Sequence, residues 1–408
     1  MFQNRFHFAA RNFALVLAIG LLPFSGASAK EVPPPPDFGP WLQALKSEAE
    51  TRGVKSETLA HALDGIQPIP RVIELDRRQP EFTLTLSSYF KKAISETRIQ
   101  KGREMLRRHQ ALLKRVEAKF GVQPRFLVAF WGLESNFGQY TGAFSVVGAL
   151  VTLAHDRRRA KFFREQLLSA LELIDAGHIP ADVKGSWAGA MGNHQFIPTT
   201  YKGYAVDFDG DGKRDLWGSL PDIFASAANY LSRSGWQADK TWGREVRIPK
   251  GFDISLTGLS VRKPLAEWNK LGIRRTGGKP LPAVDIDASL LVPAGYKGPA
   301  FLVYKNYRTI MVWNRSHLYA LAVGHLADRF IGKGPLATPP AADDVPLSRA
   351  DIRILQGLLN AQGLDAGVPD GMLGPKTRAA VRTYQKSAGL PPDGYATKAL
   401  ILKLQKTP

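Results

Sequence analysis

The sequence predicts an α+β protein, mainly helical with a small β region, followed by a separate small three-helix module. Three observations carry this. From Trp41 to about Gly121 apolar residues recur at three and four positions (Trp41, Leu42, Leu45; Leu59, Leu63; Leu112, Leu113, Val116, Phe120), the spacing of a helix with one buried face. Between Val246 and Met311 lie shorter β-like runs broken by glycine and proline, including Phe301 to Tyr304, with Thr309 to Trp313 extending past them. Gly332 to Pro346 is rich in Gly, Pro, Ala and Asp without apolar periodicity, and a helical tail follows it.

The elements follow in order. Arg5 and Arg11 precede or border the apolar run Phe13 to Phe24, and Ala27-Ser28-Ala29 offers the small residues of a cleavage site. Residues 1–29 therefore read as a signal peptide, with a retained anchor as the alternative, although a bilayer-spanning helix takes about 20 residues. The expectation is export to a periplasmic location, soluble or loosely wall-associated. Residues 30–37 form a proline-rich extended lead-in, 38–332 the main domain, 333–347 a linker and 348–408 the terminal module. Further helices are expected at Arg125 to Glu134, Ala160 to Ala176, Ile223 to Ser234 and Leu318 to Phe330. In the terminal module the expected core is Ile352, Leu355, Leu358, Leu359, Val381, Tyr384, Leu390, Leu400 and Leu404.

The 408 residues contain no cysteine, which excludes disulfides, thiolate metal sites, a cysteine nucleophile and a lipidated N-terminal cysteine. The net charge of +19 favours an anionic partner, and cleavage of the signal peptide lowers it by only two. A wall polymer, a membrane surface and nucleic acid all satisfy that charge; no nucleic-acid motif accompanies it.

The stretch Phe126 to Gly138 is the most informative. On a helix, Phe130 and Trp131 precede Glu134 by four and three residues. Lost hydration raises the pKa of such a carboxyl toward the range of a general acid; a glutamate at the exposed edge of a buried helix is the alternative. Gly185 to Tyr201 mixes small residues, aromatics and the polar Ser186 and Gln195, a lining suited to sugar, or else a glycine-rich helix crossing. His194 has no sequence partner and reads as solvated. Asp207-Phe-Asp-Gly-Asp-Gly-Lys-Arg-Asp215 begins like a calcium loop, with Gly212 at its sharp turn, but its twelfth position is Gly218 rather than a glutamate. A surface Asp-Gly turn is the alternative.

Gly132-Leu-Glu-Ser-Asn-Phe-Gly138, Gly185-Ser-Trp-Ala-Gly-Ala-Met-Gly192, Gln195-Phe-Ile-Pro198, Tyr204 to Gly212, Ala228-Asn-Tyr-Leu231 and Trp313 to Val323 together resemble the lytic murein transglycosylase B family. The resemblance implies a lysozyme-like catalytic domain that breaks the β-1,4 bond between N-acetylmuramic acid and N-acetylglucosamine without water, leaving 1,6-anhydromuramoyl ends. It implies Glu134 as acid and then base, Ser186 as support for its carboxyl, and Gln195, Phe196, Tyr230, Asn314 and Tyr319 as positions that contact or orient saccharide. Arg158 and Arg159 would meet peptide or lactyl carboxylates, or form a solvated basic face. Trp313 stands where some relatives have tyrosine. No catalytic cofactor is implied. A structural calcium is, held by Asp207, Asp209, Asp211, the Lys213 carbonyl and Asp222, with Asp222 closing an unusually long loop.

Leu355 to Gly363 and Asp370 to Gln385 resemble the peptidoglycan-binding domain of wall hydrolases, with Thr377 as a helix cap; a ligand-free helical bundle is the alternative. The implied partner is the peptidoglycan glycan strand, with no nucleic acid and no integral membrane span in the mature form. A hydrolytic muramidase and a non-catalytic wall-binding protein remain as competing readings.

Overall fold

The computed structural model describes residues 35–78, 84–340 and 344–406. The signal peptide expected at 1–29 lies outside the described residues, as does most of the lead-in.

The chain opens with helices α1 (Phe38–Thr51), α2 (Ser56–Leu63), α3 (Pro70–Arg78), α4 (Leu86–Ala93), α5 (Glu96–Arg108), α6 (Gln110–Phe120) and α7 (Pro124–Ser135). Local chemistry sets their ends. Thr85 and Ser88 form a reciprocal capping box at α4, Ser95 caps α5, and left-handed Gly121 stops α6. Pro124 occupies the first turn of α7, where its missing N–H costs nothing. A two-residue strand β1 (Phe144–Ser145) leads into α8 (Val146–His155), followed by α9 (Ala160–Asp175), β2 (Lys184–Gly185), α10 (Pro198–Tyr204) and α11 (Leu220–Arg233). β1 pairs antiparallel with β2. Every residue of α8 from Val146 to Ala154 is buried, so its sequence is apolar on all sides apart from Thr152, whose hydroxyl donates to the Gly148 carbonyl at 2.7 Å.

A small sheet interrupts the helices. Its strands are β3 (Gly243–Arg247), β4 (Lys263–Pro264), β5 (Arg274–Arg275), β6 (Asp287–Leu291) and β7 (Ala300–Val303), in the order β4-β6-β7-β3-β5 and all antiparallel, with α12 (Leu265–Lys270) following β4. β7 is buried throughout because it serves two cores in alternation. Ala300 and Leu302 face a small core with Val246, Trp268 and Leu290, while Phe301 and Val303 join the main helical core.

Thr309 to Trp313, expected as a β-like run, belongs instead to helix α13 (Lys305–Trp313). Tyr307, Ile310 and Trp313 are all buried at a spacing of three, so tertiary burial of that stripe overrides the β-branched residues between them. Helix α14 (His317–Phe330), capped by Ser316, completes the main body and packs on α7.

Beyond it, α15 (Arg349–Ala361), α16 (Pro375–Ser387) and α17 (Lys398–Gln405) enclose a core of their own. Ile352, Leu355, Leu359, Val381, Tyr384, Leu400 and Leu404 are buried in it, and Leu358 and Leu390 pack on its edge. Thr377 does not cap α16; Gly374 holds that position, and the buried Thr377 hydroxyl donates to the Ala366 carbonyl at 3.0 Å. Asp393 of this module accepts from Tyr296 N at 2.9 Å, and Tyr395 donates to Asp344.

Candidate active site

Helix α7 is buried from Phe126 to Gly132, and its last turn brings Glu134 to the edge of a cavity. The chain then leaves the helix through two left-handed non-glycine residues, Asn136 (φ 51°) and Phe137 (φ 61°), followed by Gly138 (φ 83°). Such residues cost on the order of 1–3 kcal/mol each, so the surroundings must hold them. Phe137 covers Gly132, where an added Cβ would lie 2.8 Å from its ring, and meets Trp131 edge-on at 5.6 Å. Gly138 faces Asn193 Oδ1 at a distance that leaves no room for a Cβ, and that same oxygen accepts from Trp131 Nε1 at 2.7 Å. Ser135 Oγ accepts from Gly138 N at 3.0 Å. The motif Gly132 to Gly138 is thus a helix end built to present one carboxyl.

Two donors meet that carboxyl at the same oxygen. Trp313 Nε1 donates to Glu134 Oε1 at 3.0 Å, and the Tyr319 hydroxyl donates to the same atom. Trp313 comes from the end of α13 and Tyr319 from the first turn of α14. Burial pushes the Glu134 carboxyl up to about 7, while the bonds from Tyr319 and Trp313 favour its charged form and limit the rise. Burial, reinforced by the Glu134 charge, drives the Tyr319 phenol well above its ordinary value and keeps it a neutral donor.

Glu134, Arg159, Phe163, Ser186, Trp187 and Gln195 line one cavity. Among the described residues no other carboxylate lines it. Ser186 Oγ accepts from Ala188 N at 3.2 Å and from Ala190 N at 3.0 Å, so the hydroxyl is fixed by its own loop, whereas the bonds to Glu134 come from Trp313 and Tyr319. Gln195 is itself left-handed (φ 51°) and donates to the carbonyls of Thr141 and Gly192, both at 3.0 Å, tying the strand-to-helix loop across the cavity. Asn314 caps the turn into α14 by accepting from Ser316 N at 2.9 Å.

Three expected saccharide positions lie behind the cavity surface rather than on it. Phe196, Tyr230 and Tyr319 are only 2%, 3% and 5% exposed. Phe196 and Tyr230 pack on Trp313 at 5.4 and 5.1 Å and so back the indole, while the Tyr319 hydroxyl is engaged by Glu134. His194, expected to be solvated, is also buried; burial lowers its pKa to about 4, and its ring lies 6.0 Å from that of Trp313.

Arg158 is exposed and Arg159 is half-buried. Both pair with Asp76 of α3, a carboxylate only 2% exposed; Arg158 Nε donates to Oδ2 at 2.8 Å and Arg159 donates to Oδ1. Arg159 also lies over the Phe163 ring at 4.7 Å.

At the start of α11, Asp207, Asp209, Asp211 and Asp222 offer ligand atoms within 4.8 Å of one another. Gly212 takes φ 85° at the turn. Asp222 is fully buried in the first turn of α11 and accepts from Phe208 N and Asp215 N, which draws the loop around it. Hard oxygen donors with no lysine or arginine paired to them among the described residues fit a hard divalent cation.

The family model described as a transglycosylase SLT domain matches residues 37–328. The chain belongs to that family. A second model, for a peptidoglycan binding domain, matches residues 348–404 of this SLT protein. Membrane-bound lytic murein transglycosylase B of Escherichia coli K12 is 32% identical over 252 residues, 58% of this chain; this chain spans 65% of that relative's length. The crystal structure of SltB3 from Pseudomonas aeruginosa in complex with NAG-NAM-pentapeptide is 48% identical, covers 90% of this chain and 99% of that one, and superposes with a TM-score of 0.86. Escherichia coli Slt35 in complex with calcium is 29% identical, with a TM-score of 0.63 over 72% of this chain and 93% of that one. The expected fold class, α+β with a mainly helical lysozyme-like domain, a small β region and a separate small three-helix peptidoglycan-binding domain, is the one observed.

Sequence reasoning missed Asp76 and Asn193. Asp76 sits 82 residues before Arg158 with no local motif to mark it. Asn193, by contrast, lies inside the quoted Gly185 to Tyr201 stretch, and its neighbour Gly192 signals a tight turn.

Proposed function

We propose that this SLT protein is a lytic transglycosylase that cleaves the bond between N-acetylmuramic acid and N-acetylglucosamine in peptidoglycan, with Glu134 as acid and then base. The observation that carries the reading is a lone carboxyl in the cavity wall, held by two donors and raised to about 7. A pKa near the working pH lets one group give a proton and then take one.

In the first step the Glu134 acid protonates the glycosidic oxygen, and the C1–O bond breaks with its electron pair going to that oxygen. In the second, the Glu134 carboxylate takes the proton of the muramoyl 6-hydroxyl as that oxygen bonds to C1, giving the anhydro ring. Water enters neither step, and no second carboxylate is needed, unlike the pair used in glycoside hydrolysis. Ser186 and Gln195 supply polar edges beside Trp187 for the sugar, and Arg159 faces its carboxylates with the guanidinium anchored by Asp76.

The aspartate loop would hold a structural calcium through Asp207, Asp209, Asp211 and Asp222, with the Lys213 carbonyl as a further oxygen; the ion would brace the loop and the start of α11. The terminal module would hold the enzyme on the glycan and raise its effective concentration at the cleft. Export to the periplasm rests on the sequence of residues 1–29, and among the described residues no helix is long and apolar enough to cross a membrane.

Mass spectrometry of digested peptidoglycan tests the reading. Wild-type protein releases 1,6-anhydromuramoyl fragments, and Glu134→Gln releases none; reducing muramic ends from the wild type would refute it.

A further inference from the structure

Resting on the reading of Glu134 as the acid, we propose that Trp313 is a positioning residue that confines the transferable proton to a single oxygen of Glu134, Oε2. The carboxyl has two oxygens, and both recorded donors, the indole N–H of Trp313 and the phenol of Tyr319, converge on Oε1. A carbonyl oxygen has two lone pairs to offer, and these two donors fill them. In the neutral acid Oε1 is therefore the carbonyl oxygen and Oε2 the hydroxyl.

The indole makes this arrangement asymmetric. A tyrosine in the place of Trp313 can rotate its hydroxyl and accept a proton from the carboxyl, so either oxygen can carry it. Tryptophan has a donor and no acceptor on that ring atom. A proton on Oε1 would leave that oxygen only a weaker hydroxyl lone pair for the indole N–H and would force Tyr319 to turn from donor to acceptor. The indole cannot move to a better acceptor, because Trp313 is only 2% exposed and its ring is fixed among Phe130, Phe196 and Tyr230 at 4.6, 5.4 and 5.1 Å. The same two bonds strengthen when Glu134 becomes a carboxylate, so Trp313 stabilises the state formed once the proton has left. Phe196 and Tyr230, both behind the cavity wall, thus act by holding the indole plane.

Infrared spectroscopy of the protonated Glu134 carboxyl tests the assignment, using the full-length protein below pH 6 and Glu134→Gln as the blank. Trp313→Phe keeps an aromatic ring and removes the donor. Its Glu134 C=O band moves to higher wavenumber, the basic limb of the kcat/KM profile moves up by about one pH unit, and kcat falls about tenfold while KM stays within about twofold. Tyr319→Phe removes the other donor to the same oxygen and moves the band in the same direction, so the test stands if Trp313→Phe does not fold. A C=O band unmoved in either folded variant overturns the proposal. Failure of the transglycosylase reading looks different: the wild type yields reducing ends while both band shifts persist.

Discussion

A single carboxyl placed among aromatic rings has a measurable cost to the fold. Glu134 titrates near 7 in the folded protein against 4.5 when unperturbed. Below about pH 4.5 both states are protonated and nothing is lost; as pH rises toward 7 the unfolded chain releases its proton first, so folding is progressively disfavoured, by roughly 2–4 kcal/mol in all. Glu134→Gln removes this charge while its amide oxygen keeps both donors. Thermal melts should show the variant and wild type alike near pH 4, a growing advantage for the variant between pH 4.5 and 7, and a constant one above. The activity profile of the wild type should lose its protonated acid with an apparent pKa near 7. At this scale the sequence was readable where chemistry is local: Phe130 and Trp131 lie within one turn of Glu134 and announce its desolvation. The donors on its carboxyl lie 179 and 185 residues away, and no spacing rule reaches that far.

Helices were legible where apolar residues recurred at helical spacing, as in α7 behind Pro124 and in α11, expected at Ile223 to Ser234 and found at Leu220–Arg233. α13 was not, because its β-branched run obscured a buried face repeating every three residues. The end of α7 depends on Asn193, whose side chain accepts from Trp131 Nε1 and donates to the Leu216 and Trp217 carbonyls. Asn193→Ala strands those buried groups, and urea denaturation should show a loss of about 2–4 kcal/mol. The spacing of the aspartate loop was readable as far as Asp211; Asp222, buried in the next helix and outside the short loop pattern, was reached only through the family resemblance. Calcium at about one hundred times its Kd should stabilise the protein by about 2.7 kcal/mol. Chelation should reverse the gain, and Asp222→Asn should abolish the response in a melting assay.

Across the whole molecule, the main body and the terminal module keep separate apolar cores. The linker expectation came from composition, yet Ala337 N and Thr338 N donate to the Glu245 carboxylate, so residues 337 and 338 lie against β3. A chain ending at residue 340 should retain kcat on short soluble glycans within about threefold and lose sedimentation with intact sacculi, since tethering raises only local concentration. The central claim concerns how one proton donor breaks the glycan without solvent. Digestion of peptidoglycan in water enriched in oxygen-18, followed by mass spectrometry of the new muramic ends, tests it directly. Unlabelled anhydro termini are the predicted result, and labelled reducing termini would contradict it.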